Sequence, residues 1–133
     1  MNNFTTDDNW QREVRNNILA PYYKSVSHES RFVFLDKGKL ADRLQREFAI
    51  DTIVQGKNNA VFGIEEKIVR WPGYTYSAYT LEIMSCSVPG RERKGWMYTA
   101  TCDFLFYCFV QADGKSIVAH MIPFQKLQKW FFE

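Results

Sequence analysis

The chain has 133 residues and a mass of 15.7 kDa, enough for one domain with a real core and too short for two ordinary ones. Hydrophobic residues make up 46% and aromatic residues 17%, so the apolar surface is ample to offset chain entropy and disorder is excluded. Seventeen Lys and Arg against fifteen Asp and Glu argue against a strongly basic nucleic-acid binder and leave room for a local basic patch.

The N-terminus is polar and acidic through Asp7 and Asp8 and lacks the basic and apolar regions of a secretory signal. No apolar run approaches the roughly 18 residues of a transmembrane helix. The expected setting is the cytosol, with no membrane contact. The first element is a helix from Trp10 to Tyr23, with Trp10, Val14, Ile18, Leu19 and Tyr22 at helical spacing and Pro21 near its end as a kink or stop. Ser25 to Ser30 reads as a loop, Arg31 to Leu35 as a β-strand, and Asp36-Lys37-Gly38-Lys39 as a turn. Leu40 to Phe48 is a short amphipathic helix with Leu40, Leu44 and Phe48 on its inner face.

Strands follow at Asp51 to Val54 and Ala60 to Val69, around the turn Gly56-Lys57-Asn58-Asn59. Tyr74 to Met84 is a further strand, and Ser87 to Lys94 a charged loop. Thr99 to Gln111 is nearly continuous in apolar residues, as a strand buried on both faces requires. Asp113-Gly114 turns into a strand from Ser116 to Ile122. Residues 123–133 form a closing helix with Phe124, Leu127 and Phe131 inward. The expected fold class is α+β (mixed α/β): one domain over residues 1–133, with a central mixed β-sheet flanked by helices. Residues 1–30 carry the N-terminal helix and loop, 40–122 the sheet core and 123–133 the last helix.

The cysteines Cys86, Cys102 and Cys108 are odd in number and irregularly spaced, and no C-x-x-C knuckle accompanies His120. A disulfide framework and a structural zinc site are therefore not expected. A pairing of Cys86 or Cys102 with His120 fits no local nucleophile pattern, and His28 is the one other histidine.

The hairpin carries the strongest chemical signal. With its turn centred on Asn58, antiparallel pairing sets Asp51 opposite Glu65, with Cβ atoms about 5 Å apart on one face. Lys67, two residues on, shares that face. Two close carboxylates repel, and a divalent cation relieves that repulsion; oxygen ligands of this kind suit Mg²⁺ or Mn²⁺. Such a cation polarises a phosphodiester oxygen, and the lysine orients water or stabilises developing charge. A slip of the turn centre sets Asp51 against Glu66 or Ile64 and makes Glu66 the better ligand. The bland alternative is an exposed sheet face with ordinary ion pairs.

Asp51, followed after the turn by Glu65-Glu66-Lys67, resembles the D…(D/E)-x-K signature of the PD-(D/E)xK nuclease superfamily, in particular its small phage and mobile-element members. The surroundings from Leu40 to Val110 are similar in kind, with a helix before the hairpin and the apolar strand after it. The resemblance implies a restriction-endonuclease-like αβββαβ core and a Mg²⁺-dependent (or Mn²⁺-dependent) endonuclease acting on DNA. Asp51 and Glu65 would then be metal ligands and Lys67 the catalytic lysine. Ile50 stands where the motif's name has Pro, neither Glu13 nor Glu47 is assigned as a helix-borne acidic residue, and no clear helix separates the third and fourth core strands. Lys57, Arg70, Arg91, Arg93 and Lys94 are the expected phosphate contacts. Trp71, Tyr74 and Trp96 are candidates for stacking on bases. The apolar tail Trp130-Phe131-Phe132 is expected in the core; left exposed, it would offer a homodimer contact. A non-catalytic α+β module binding nucleic acid or protein is the alternative.

Overall fold

A computed structural model describes residues 3–70, 84–86, 89 and 93–133. The first helical run contains α1 (Asn3–Val14), a π turn (Arg15–Leu19) and α2 (Ala20–Val26). The π turn closes with the Ala20 N–H donating to the Arg15 carbonyl. It stands immediately before Pro21, which has no N–H and whose ring would press on the carbonyl four residues back. Widening the turn by one residue relieves that conflict without ending the helix. The expected kink is thus a π turn, and the helical run continues past the expected end at Tyr23 to Val26.

Strand β1 (Phe32–Phe34), helix α3 (Lys39–Phe48), β2 (Thr52–Gln55) and β3 (Val61–Arg70) follow. The strands β4 (Met84–Cys86) and β5 (Arg93–Lys94) pair separately, and α4 (Trp96–Thr99) precedes β6 (Phe104–Val110), β7 (Ile117–Pro123) and α5 (Phe124–Phe132). The main sheet has the order β1-β2-β3-β6-β7; β3 and β6 are parallel and every other pair is antiparallel. The fold is therefore a mixed α+β domain. The strand expected over Tyr74 to Met84 lies outside the described residues except for Met84.

Period-two alternation sorts the side chains of β6 onto two cores. Leu105, Tyr107 and Phe109 pack with Ala49, Met97 from α4 and Phe124 from α5. Phe106 and Cys108 pack on the opposite face with Leu19 and Tyr23 of the N-terminal helical run. Burial on both faces explains why the β6 sequence is continuously apolar. Two local expectations change. Leu40 is 72% exposed, because Ala41 turns inward and α3 starts a residue earlier than the amphipathic reading assumed. In α5, Phe124, Leu127 and Phe131 face the core as expected, while Trp130 and Phe132 stay exposed, the latter stacked on Tyr98 at 4.5 Å between ring centroids.

Candidate functional site

The hairpin register sets the site. Thr52 pairs with Ile64, Ile53 with Gly63 and Val54 with Phe62, so the turn is centred on Asn58. Asn58 and Asn59 take left-handed backbone conformations, which asparagine tolerates better than most residues. Asp51 lies one residue before the first ladder pair, and its carboxylate comes up against that of Glu65. There β2 leaves β3. The Asp51 N–H donates to the Ile64 carbonyl at 2.8 Å, and its carboxylate replaces the next main-chain acceptor by taking the Glu66 N–H at 2.8 Å. The edge of β3 therefore opens at Asp51.

Asp51, Glu65 and Lys67 come together at this opening. Lys67 Nζ lies 2.8 Å from Glu65 Oε1, and the Glu65 side chain is 9% exposed. Burial first, then the Asp51 carboxylate and its hydrogen bond, push the Glu65 carboxyl up to about 8, against the opposing pull of the Lys67 ammonium. The approach to the site is held by a helix stop at Ala49, whose φ of 52° is left-handed, and by the Ile50 N–H donating to the Leu44 carbonyl. Beside the site, Cys102 is buried and its thiol is pushed up to about 12, chiefly by burial, which disfavours the thiolate.

Adjacent strand residues face opposite ways, so Glu66 points into the other core. Its carboxylate takes hydrogen bonds from Arg15 Nε at 3.0 Å, the Tyr23 hydroxyl at 2.6 Å and the Thr52 hydroxyl at 2.7 Å. Burial pushes the Glu66 carboxyl up, opposed by Arg15 and then by the two hydroxyls. Burial first, then the Glu66 carboxylate, raise the Tyr23 phenol, with the Thr52 hydroxyl opposing. Arg15 also donates to the Asp51 carbonyl at 3.2 Å, and its guanidinium lies 4.5 Å from the Phe34 ring centroid. Glu66 and Arg15 thus fasten the N-terminal helix to the chain segment that carries Asp51. The sequence reading weighed Glu66 only as an alternative ligand and missed this network. Its one signal was the Glu65-Glu66 pair on a buried strand, which obliges each face of the sheet to supply partners for a carboxylate.

Of the expected phosphate contacts, the two with described side chains, Lys57 and Arg70, do not lie at this opening. Lys57 sits in the turn at the far end of the hairpin. Arg70 ends β3 on the Glu66 face, its guanidinium 4.2 Å from the Trp10 ring centroid. Arg93 and Lys94 form β5, but their side chains lie outside the described residues, as do Arg91, Trp71, Tyr74 and the side chain of Trp96. Next to Asp51 a pocket of about 430 Å³ runs between the N-terminal helix and the sheet, lined among others by Arg12, Arg15, Asn16, Gln45 and Glu66.

For a cation, the donor set is two carboxylates, Asp51 and Glu65. A third oxygen comes from strand geometry: the N–H and C=O of one residue leave a strand on the same edge, so the Glu66 carbonyl points to the side where β2 has ended. All three are hard oxygen donors of the kind Mg²⁺ and Mn²⁺ take. Among the described residues no group of three or more His, Cys, Asp or Glu side chains is arranged to hold a metal ion. No helix of the described residues is long and apolar enough to cross a membrane. Comparison with protein-family models, with curated proteins and with solved structures finds no match for this chain.

Proposed function

We propose that the protein is a small Mg²⁺-dependent (or Mn²⁺-dependent) nuclease that hydrolyses phosphodiester bonds in DNA. The observation that carries this reading is the convergence of Asp51, Glu65 and Lys67 where β2 and β3 part. The order of helix, β1, β2, β3, the α4-containing connection and β6 agrees with an αβββαβ core, with α3 inserted between β1 and β2. The raised Glu65 carboxyl also supports it. A proton stays between two carboxylates where a cation would relieve the same repulsion.

Asp51, Glu65 and the Glu66 carbonyl would hold the cation, which supplies charge stabilisation to the phosphate oxygens and acidifies water. Hydrolysis joins a water oxygen to phosphorus and breaks the bond to a sugar oxygen, which takes up a proton. Lys67 is placed to orient that water and to stabilise the charge gathering on the phosphate. Glu65 must lose its proton and loosen its pairing with Lys67 before it can act as a ligand. Arg15 and Glu66 keep Asp51 in position from the other face.

Cleavage of plasmid DNA with Mg²⁺ tests the reading, with Asp51→Asn and Lys67→Met as the probes. Asparagine keeps an acceptor for the Glu66 N–H and removes the charge. Both variants should lose cleavage and keep the unfolding midpoint nearly unchanged; cleavage surviving in both refutes the assignment. A non-catalytic binding module is the second reading. The observation in its favour is that Lys67 Nζ already contacts Glu65 Oε1 at 2.8 Å, so the cluster can serve as a closed structural pair. It requires DNA or protein binding indifferent to EDTA, with no turnover.

A further inference from the structure

The pocket beside Asp51 holds more polar groups than the hydrolytic cluster uses. Arg12 and Asn16 project from the N-terminal helical run one turn apart, with Gln11 alongside, and all three are exposed. Among the described residues none of these three side chains makes a hydrogen bond or ion pair, in contrast to Arg15, which Glu66 holds. The volume, about 430 Å³, lies at the small end of ligand-site sizes. An Arg fork suits a phosphate, and carboxamides carry the paired donor and acceptor that match a base edge.

We propose that this pocket holds one nucleotide of an unpaired DNA strand, with Arg12 on a phosphate and Asn16 and Gln11 on the base. The occupant rests on the nuclease reading, because the pocket shares Asp51 with that site; the residues and their chemistry do not. A base paired inside a duplex cannot enter without leaving its stack, so the pocket selects single-stranded or frayed segments. With Arg15 paired to Glu66, Arg12 shares the pocket lining with two acidic residues, Asp36 and Asp51. A phosphate is therefore held only when a divalent cation offsets Asp51, and strand binding depends on Mg²⁺.

The test is fluorescence anisotropy of an end-labelled single-stranded oligodeoxynucleotide with Mg²⁺, on full-length protein carrying Lys67→Met to stop turnover. Arg12→Ala in that background should weaken binding about tenfold and lower the salt dependence by about one phosphate contact. Arg12→Lys should recover part of the loss, since it keeps the charge and loses the fork. Arg12 is exposed, so the melting temperature should not move. Binding within twofold of the parent after Arg12→Ala overturns the proposal. So does duplex DNA that binds as tightly as the single strand with the same Arg12 dependence, or a free nucleoside monophosphate that binds as tightly as the strand. An Arg12 effect on binding, in a protein whose unmutated form never cleaves, removes the nuclease reading and leaves the pocket assignment standing.

Discussion

Replacing Glu65 by Gln should stabilise the protein at alkaline pH. In the folded chain the Glu65 carboxyl holds its proton up to about pH 8; in the unfolded chain it releases it near 4.5. Between those values the folded state binds one more proton than the unfolded state, so stability falls as pH rises through the window. The slope for one proton is about 1.4 kcal/mol per pH unit, which amounts to a few kcal/mol across the window. Glutamine has the same shape, accepts from Lys67 and donates to Asp51, and has no proton to lose. Urea denaturation of both proteins at pH 5, 7 and 9, without divalent cations, checks this. The difference in unfolding free energy should move towards the Gln variant by a few kcal/mol from pH 5 to pH 9. Parallel pH profiles within about 0.5 kcal/mol would show that Glu65 titrates normally and that the carboxylates do not interact as described.

Three further outcomes follow from the same geometry. Mg²⁺ must displace the Glu65 proton, so its affinity, read by calorimetry, should rise about tenfold per pH unit up to about pH 8 and then level; a flat profile contradicts the ligand assignment. Tyr23→Phe removes a donor from the buried Glu66 carboxylate at 2.6 Å and should cost about 1–3 kcal/mol in urea unfolding, whereas a neutral result would mean that Glu66 needs no such partner. Gly63→Ala puts a methyl 3.0 Å from Ile50 Cδ1, next to Asp51. It should cost about 1–3 kcal/mol in urea unfolding and slow cleavage, whereas an unchanged rate would show that Ile50 does not set the place of Asp51.

The hairpin was legible because its signals are local. Gly56 to Asn59 mark the turn, and the sum of paired positions then gives the pairing of Thr52 to Gln55 with Val61 to Ile64 without any tertiary information. The double burial of β6 was legible for a similar reason, since a strand with no polar face has nowhere to meet water. The Glu66 network was not, because it joins residues separated by 43 and 51 positions, and no local pattern says which face of the sheet the first helix covers. Leu40 misled through a regular period: Ala41, the smaller neighbour, is the residue that packs. The pocket escaped notice because Arg12 and Asn16, polar residues of the first helical run, carry no local signal of a site. Only the docking angle of that helix brings them beside Asp51.

The central claim concerns Asp51, Glu65 and Lys67 acting together on a phosphodiester. The most direct measurement is single-turnover cleavage of labelled DNA by the unmutated protein and by Lys67→Met, with Mg²⁺ and with EDTA. The account predicts cleavage by the unmutated protein in Mg²⁺ alone, with loss of at least a hundredfold in rate on removing the ammonium. Cleavage that persists in EDTA, or a Lys67→Met rate equal to that of the unmutated protein, would contradict it.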